Sequence, residues 1–428
     1  MIVNFTVQNF GSIKDKQILS FEADNTGHLE EYYIIHPIEG LRLLKLGLIY
    51  GANASGKTTI LKALSFLREI VLSPESMKTE SLGFEPFLFD LETPKQNSIL
   101  SIEFIQNSIR YYYEVEFNKR AIVKEELNSY ESKKANVFKR FTDEDKQFAE
   151  VKFGSRIKMD KSLEKSIELN TLWNNTVLGG FLKTNIEIKE LKEVTDWFSK
   201  YLKPIVYTRT ELNNYVSNRI ENSEISKEDI INILKKADLN ISDILIKKED
   251  VEDHNDFADS NSKLSEVKVK PKISLMKLNF EHTVNLVKYN LPFEKESNGT
   301  KRFYGFAGLL SLLIKNSVLF PIDELESSLH PDLFVHFLLS FLVNSRNSQL
   351  IATTHNREIL NNKDIFRNDA IWFTDKSDCC ATELYSLSDF DSSVIRDTSN
   401  VYNAYKIGKL GGVPSLGDIY LDLYNEKE

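Results

Sequence analysis

A segment in the first part of the chain has the residue types and spacing of a phosphate-binding loop. It matches G-x-x-x-x-G-K-[ST] in full and reads Gly51-Ala52-Asn53-Ala54-Ser55-Gly56-Lys57-Thr58. Glycines let the backbone curl so that its N–H groups face phosphate oxygens, and a following helix N-terminus adds positive potential. We therefore predict that residues up to Thr59 bind a nucleotide. Lys57 is expected at the β- and γ-phosphates, and Thr58 is expected to ligate Mg²⁺.

A pair of acidic residues forms the second candidate site. The apolar run Val318–Ile322 ends at Asp323 and Glu324. Acids after a strand most often cap a helix, but a phosphate-binding loop in the same chain favours a Walker B motif. Asp323 would then hold Mg²⁺ through water, and Glu324 would polarise the attacking water. Pro321 is unusual for a central strand, because proline removes a ladder donor.

The elements around these residues predict an α/β fold. An apolar strand (46–50) precedes the loop, and apolar positions at helical spacing follow it (57–72). Residues 99–117 alternate on both sides of a polar turn, which indicates a β-hairpin. After residue 297, strands and helices alternate again, and the strand 349–354 ends at His355.

The pattern also predicts three regions along the chain. Residues 1–124 carry the loop and the hairpin, and residues 289–428 carry the acidic pair and His355. Residues 125–288 between them are rich in Lys and Glu and are predicted to be a mostly helical insertion. Within this insertion, the charged stretch from Glu249 to Lys272 is expected to be a mobile loop.

Composition limits the class of protein. The 428 residues include 54 Lys and Arg and 63 Asp and Glu, a net charge of −9, which argues against extensive nucleic-acid wrapping. The two cysteines, Cys379 and Cys380, are adjacent and cannot close an ordinary disulfide loop, which indicates a reducing, cytoplasmic compartment. The N-terminal residues do not have a signal-peptide pattern, and no run of 18 apolar residues predicts a membrane span.

Three phrases carry a resemblance to a known superfamily: LIYGANASGKTTILKAL, PIDELESSLHPDL and QLIATTHNREIL. Their order resembles that of the ABC ATPases. They are most similar to the SMC-like bacterial ATPases of the AAA-15/AAA-21 grouping, whose relatives include OLD ATPases and the ATPase subunits of abortive-infection and PARIS-like phage-defence systems. The resemblance covers about residues 1–120 and 290–428.

The resemblance implies further roles. It implies an ABC-type P-loop NTPase head, a mixed sheet with an antiparallel β-subdomain, that binds ATP with Mg²⁺. His355 would be the switch histidine that contacts the γ-phosphate. Ser297, Asn298 and Gly299 resemble a degenerate signature loop, which would cap the nucleotide bound by a second copy in a homodimer or higher oligomer.

Three classes of function remain open. The first is a regulatory ATPase of an anti-phage defence system that controls a separate effector, such as a Toprim-like or HNH nuclease. The second is a DNA-repair or DNA-structure ATPase that binds DNA. The third is a scaffold that only binds ATP, which Glu324 disfavours because a scaffold needs no general base. Too few residues follow His355 for an OLD-type Toprim domain, and no heptad pattern predicts long coiled-coil arms. The resemblance favours the defence function.

Overall fold

The computed structural model describes residues 1–131, 133–252, 272–390, 400–414 and 417–418. The ends of the stretch predicted to be a mobile loop, Glu249–Glu252 and Lys272, belong to strands, and its middle lies outside the described residues. The chain divides into two compact units. The first unit contains Met1–Thr208, Asn316–Ser327 and Phe341–Glu428, and the second contains Arg209–Lys315 and Ser328–Ser340.

Both units contain strands and helices. The strands are β1 Ile2–Gln8, β2 Gln17–Ser20, β3 Ile34–Ile38, β4 Leu41–Leu44, β5 Leu46–Gly51, β6 Ser98–Gln106, β7 Ile109–Phe117, β8 Ile122–Tyr130, β9 Lys134–Asp143, β10 Phe148–Phe153, β11 Asp243–Glu252, β12 Lys272–Val284, β13 Val287–Pro292, β14 Leu319–Ile322, β15 Gln349–Thr353, β16 Ile371–Lys376 and β17 Thr382–Ser386. The α-helices are α1 Glu30–Tyr33, α2 Lys57–Leu72, α3 Lys161–Asn170, α4 Val177–Leu182, α5 Lys189–Asp196, α6 Asn213–Glu221, α7 Lys227–Lys236, α8 Asn298–Lys315, α9 Pro331–Asn344 and α10 Val401–Lys406.

Two large sheets make up the first unit. One has five strands in the order β14-β15-β5-β16-β17, of which all but β17 pair in parallel. The other is antiparallel, with the order β10-β9-β8-β7-β6-β1-β2. It contains the predicted hairpin as β6 and β7, joined at Asn107 and Ser108, both of which have positive φ. The expected mixed α/β fold with an antiparallel subdomain is confirmed.

Helix α2 packs between strands of both sheets and contacts β1, β5 and β15. Its apolar residues recur at intervals of three and four, so one face can be buried along its whole length. Ile60, Leu64, Leu67 and Val71 are at most 1% exposed. The strand-to-helix path from β5 into α2 is therefore held firmly at the position where the phosphate-binding motif lies.

The expectation that residues 125–288 are mostly helical is wrong for their first part. Residues 122–153 form β8, β9 and β10 at one end of the antiparallel sheet. Leu127 and Phe138 point into the core, whereas Lys124 and Lys139 face the solvent. A strand with one solvent-exposed face can be as rich in Lys and Glu as a surface helix, so composition alone does not distinguish a strand from a helix here. Helices occupy residues 161–236, and strands return at 243.

Pro321 fits β14 because of the direction in which its nitrogen faces. The carbonyl of Val318 accepts from Gln349 N of β15. Backbone groups alternate in direction along a strand, so the backbone N and carbonyl of Leu319 and of Pro321 point away from β15. On that side the Pro321 carbonyl accepts from Val206 N at 2.9 Å, in a segment that forms only isolated bridges to β14. The missing N–H of proline therefore interrupts no ladder between β14 and β15.

The second unit combines a three-stranded sheet, in the order β11-β12-β13, with α6, α7, α8 and the first part of α9. Helix α8 lies close to α6, because a Cβ at Gly305 or Gly308 would overlap Leu212 or Val216. Tyr304 of α8 also donates to or accepts from Ser217 at 2.9 Å. Among the residues described in both units, no helix is long and apolar enough to cross a membrane.

Candidate functional site

The predicted phosphate-binding loop connects the end of β5 to the start of α2. Gly56 precedes the helix with φ +102°, and Ala54 has φ +60°, so the backbone turns sharply here. A Cβ at Gly56 would overlap the side chain of Thr382, so the position needs glycine for space as well as for its φ. Ser55 is anchored from behind, with its Oγ 2.6 Å from Thr374 Oγ1.

Lys57 lies under this loop and is only 6% exposed. Its Nζ donates to the carbonyls of Gly51 and Ala52, both at 3.0 Å. Burial lowers the pKa of Lys57, and the nearby carboxylates of Glu324, Asp323 and Glu326 act in the opposite direction. The ammonium group is thus held beside the first two residues of the loop by weak neutral acceptors, which a phosphate could replace.

Thr58 and Asp323 meet at the metal position predicted from the sequence. Thr58 Oγ1 donates to the Asp323 carboxylate, 3.0 Å from Oδ1 and 3.1 Å from Oδ2. A hydroxyl and a carboxylate are the hard oxygen ligands that Mg²⁺ prefers when phosphates complete its shell. Among the described residues, no group of three or more His, Cys, Asp and Glu could hold a metal by itself. The donor set therefore fits a Mg²⁺ that arrives with a nucleotide.

Thr353, at the end of the neighbouring strand β15, joins both acidic residues and was not predicted as a site residue. Its Oγ1 donates to Asp323 Oδ1 at 2.7 Å and accepts from Glu324 N at 2.8 Å. The side chain is fully buried, so this hydroxyl has no exposed alternative. Thr353 begins the Thr-Thr-His phrase at the end of this strand, which is the sequence signal that marks it.

Glu324 stands at a sharp corner of the backbone. Its φ is +48°, which is unusual for a residue with a side chain. The corner is fixed on both sides, since Ser327 N donates to the Glu324 carbonyl at 2.9 Å and Leu325 N donates to Thr353 O at 3.0 Å. Such strained positions persist where the surroundings determine them fully, and they concentrate at functional sites. The half-buried side chain is therefore presented at a fixed point.

His355 lies two residues beyond Thr353, and a third acid orients its backbone. Glu326 Oε1 accepts from His355 N at 2.6 Å, and no sequence pattern had singled out Glu326. Burial of part of the ring lowers the pKa of His355, as does the Lys57 ammonium, against the opposing charges of Glu326 and Glu324. The lowered pKa favours the neutral imidazole, which has one N–H donor and one acceptor nitrogen.

The predicted signature residues belong to the second unit, whereas the loop, the acidic pair and His355 belong to the first. Ser297 precedes α8 and its Oγ accepts from Thr300 N at 3.0 Å, as a helix cap does. Ser297 and Asn298 are exposed, and Gly299 is partly so. The helix that follows has 18 residues, and its first N–H groups point toward this exposed end.

The chain matches a known protein family. A family described as "AAA domain, putative AbiEii toxin, Type IV TA system" matches residues 48–171 and 189–361, well over half of the chain. No curated protein matches the chain. The chain is thus identified through a family and not through a single relative.

Several solved structures are similar in chain path. They include an SMC head bound to the C-winged helix domain of ScpA, at 12% identity over 90% of this chain and 97% of that chain, with a TM-score of 0.46. The SMC head domain from Thermotoga maritima is 13% identical over 90% and 98%, with a TM-score of 0.39. An Smc head domain with an extended coiled coil, bound to the C-terminal domain of ScpA derived from Pyrococcus furiosus, is 12% identical over 96% and 98%, with a TM-score of 0.42.

The family match covers the phosphate-binding loop, the acidic pair and His355. It confirms the resemblance drawn from the sequence phrases. The chain therefore belongs to the AAA-21 family of AAA domains.

Proposed function

We propose that this chain hydrolyses ATP to ADP and phosphate, with Glu324 as the general base. The observation that carries the proposal is that Thr58, at the start of α2, contacts Asp323 at the end of β14, where the buried hydroxyl of Thr353 joins Asp323 to Glu324. Parallel strands that end side by side present their following residues at one edge of a sheet, where α/β proteins bind ligands.

Each residue has a task that its surroundings support. Thr58 and Asp323 would hold Mg²⁺, which when bound neutralises charge on the phosphates. Lys57 would exchange the two loop carbonyls for phosphate oxygens, and backbone N–H groups of residues 51–59 would surround the phosphates. His355, whose lowered pKa favours the neutral ring, would donate one hydrogen bond to the γ-phosphate.

Glu324 is suited to accept the proton of the attacking water. Its carboxylate is half-buried, and no described side chain donates a hydrogen bond to it. General-base catalysis typically contributes about 10²–10⁴-fold to a rate. The fixed backbone corner determines where the side chain of Glu324 leaves the main chain.

We further propose that two copies enclose the nucleotide, with Ser297, Asn298 and Gly299 of one copy against the phosphates bound by the other. The exposed end of α8 supports this, because helix N-terminal N–H groups and their dipole favour a negative group. The Ser297 hydroxyl accepts from Thr300 N and lies 2.9 Å from Thr300 Oγ1, and with Thr300 as the donor of that second contact it can still donate its own proton outward.

The biological role proposed is that of the regulatory ATPase in an anti-phage defence system that controls a separate effector, such as a Toprim-like or HNH nuclease. The family description, which names a putative toxin of a type IV toxin–antitoxin system, supports a defence setting. The net charge of −9 gives no support to the alternative, a DNA-repair ATPase. Hydrolysis stimulated by DNA ends and lost at high salt would establish that alternative instead.

The test compares Glu324→Gln with the wild type. The amide is nearly isosteric but cannot accept the proton, so ATP binding should remain while turnover falls by about 10²–10⁴-fold. Slow hydrolysis should trap an ATP-dependent dimer, which light scattering with Mg-ATP would detect.

Adding Ser297→Arg to Glu324→Gln should prevent the ATP-dependent dimer without affecting ATP binding. Ser297→Arg also removes the hydroxyl that caps Thr300 N, whereas a Lys301→Arg change on the same helix keeps that cap and should leave the dimer intact. Wild-type turnover in Glu324→Gln would refute the base. A dimer that tolerates Ser297→Arg would refute the role of the signature residues.

A further inference from the structure

Both cysteines of the chain lie in one exposed hairpin turn, between β16 and β17. The turn is closed by Ser377 N, which donates to Ala381 O at 2.9 Å, and by Cys380 N, which donates to Ser377 O at 2.9 Å. Cys380 has φ +61°, so the turn is tight at the second thiol. Adjacent, exposed thiols have no evident structural task at such a position.

The two strands that this turn joins, β16 and β17, both contact the phosphate-binding loop. Thr374 of β16 contacts Ser55, with 2.6 Å between the hydroxyls. Thr382 of β17 lies against Gly56, and its Oγ1 is 2.9 Å from Ser55 O. The cysteine turn is therefore the short connection between two direct supports of the loop.

A chain of hydroxyl groups extends this support into α2. Thr382 Oγ1 is 2.7 Å from Ser12 Oγ, which in turn is 3.0 Å from Thr59 Oγ1. Thr382 N also donates to Ser12 O at 2.8 Å. Only Ala381 separates Cys380 from Thr382, so a change of backbone shape at the cysteines reaches this series of hydroxyl groups directly.

The first of the two thiols is set up to react. Ser377 Oγ lies 3.2 Å from Cys379 Sγ, and this contact, with the Ala381 N–H and the nearby Lys14 ammonium, lowers the pKa of the Cys379 thiol. Lys14 also pairs with Asp90 at 2.6 Å, which fixes the ammonium in place. An exposed thiol beside a cation supplies the thiolate that acts as the nucleophile.

We propose that Cys379 and Cys380 form a reversible thiol-modification site that controls nucleotide binding by the adjacent loop. The co-reactant is a small-molecule disulfide. This inference rests on the proposed function for its readout, although the thiol chemistry does not depend on it.

The reaction proceeds in two exchanges. The Cys379 thiolate attacks one sulfur of the small disulfide, forms a mixed disulfide and releases one small thiolate. The Cys380 thiolate then attacks Cys379 Sγ, breaks the mixed disulfide and releases the second small thiolate. The two protein thiols are oxidised to one disulfide, and the small disulfide is reduced to two thiols.

The product should be strained and therefore easily reversed. Neighbouring Cα atoms across a trans peptide are about 3.8 Å apart, whereas disulfides usually join Cα atoms about 4.4–6.8 Å apart. Closing the bond must distort the turn, and the distortion passes to Thr374 and Thr382 behind the loop. Strained disulfides are those that ordinary cellular thiols reduce readily, as a regulatory site requires.

The first test follows the thiols with 5,5′-dithiobis(2-nitrobenzoate), an aromatic disulfide that releases a coloured thiolate. The wild-type chain should release two thiolates and end without an adduct by mass spectrometry. Cys380→Ser should release one and keep its adduct, and Cys379→Ser should react about tenfold more slowly. Equal rates for the two single variants, or a wild-type product with two adducts, would overturn the thiol site.

The second test measures the affinity for a non-hydrolysable ATP analogue before oxidation, after it, and after reduction with dithiothreitol. Oxidised wild type should bind at least about tenfold more weakly and recover on reduction. The double variant Cys379→Ser, Cys380→Ser has no other cysteine and should bind equally in all three states.

The two proposals fail in different ways. If the untreated chain binds no nucleotide, the proposed function is wrong, and the thiol results still stand on the first test. If the untreated chain binds and the oxidised chain binds equally well, control of the loop by the cysteines is refuted and the proposed function stands.

Discussion

Replacing Thr353 by valine should remove the hydroxyl that connects β15 to both acidic residues, with almost no change in volume. Thr353 Oγ1 donates to Asp323 Oδ1 at 2.7 Å and accepts from Glu324 N at 2.8 Å. The side chain is fully buried, so water cannot replace it. Asp323 would keep its bond from Thr58, but Glu324 N would lose the partner that fixes its strained backbone.

The expected cost follows from these two contacts. A hydrogen bond to a charged group contributes about 1.5–3 kcal/mol, and an orphaned buried N–H costs about 1 kcal/mol or more. Thr353→Val should therefore lower the free energy of unfolding by about 2–4 kcal/mol. Partners that orient a metal ligand are typically worth about 10–100-fold in metal affinity or activity, so half-maximal ATPase activity should need correspondingly more Mg²⁺.

Two measurements check this prediction, urea unfolding and ATPase rate against MgCl₂ concentration. Thr353→Ser keeps the hydroxyl and loses one buried methyl, so it should cost about 1 kcal/mol and leave the Mg²⁺ dependence unchanged. Thr195→Val is a matched control, because Thr195 is also buried and donates to Leu191 O within a helix away from the site. It should lower stability without changing the Mg²⁺ dependence.

The reasoning would be refuted by a specific result. If Thr353→Val unfolds at the urea concentration of the wild type and needs no more Mg²⁺, the hydroxyl does not position the acidic pair. If only stability falls and the Mg²⁺ dependence is preserved, Asp323 is held by Thr58 and its backbone alone.

Three further variants test other parts of the first unit. Lys57→Ala should abolish tight ATP binding, since it removes the only buried ammonium at the loop among the described residues; unchanged affinity by calorimetry would argue against the phosphate-binding role. Gly56→Ala should weaken ATP binding and lower the melting temperature, because the position has φ +102° and the new Cβ would overlap the side chain of Thr382. A thermal shift assay that finds no change would contradict this. Burial raises the pKa of Glu125 from its ordinary 4.5 to about 7. Between these pH values the folded chain keeps a proton that the unfolded chain releases, so the free energy of unfolding should fall as pH rises from 4.5 to 7. Glu125→Gln should flatten that dependence in urea midpoints at pH 5, 6 and 7.5, and an unaltered slope would assign it to other groups.

Much of the fold could be predicted because it is encoded in neighbouring residues. The apolar period of 57–72 specified α2 to the residue, and alternation in 99–117 specified β6 and β7. The strands β8, β9 and β10 could not be recognised in this way. Their polar faces meet solvent and their apolar faces meet a core built by distant strands, so a Lys- and Glu-rich sequence fits a strand only in that sheet.

The sequence by itself was sufficient to predict the phosphate-binding loop, the acidic pair and His355 as one candidate site. Each of these is a local motif: the function proposed for it requires particular side chains at fixed separations along a strand end or a tight turn, and such separations are readable without a fold.

Only the tertiary structure decided which residues support those motifs. Thr353 reaches Asp323 and Thr382 reaches Ser55 because parallel and antiparallel pairing places β15 beside β14 and β17 behind the loop. A threonine or a cysteine in a strand or turn has no spacing rule that marks it as a support. These contacts join residues 30 and 327 positions apart, so they depend on strand order and register, which are set by the packing of the whole unit and not by any local sequence.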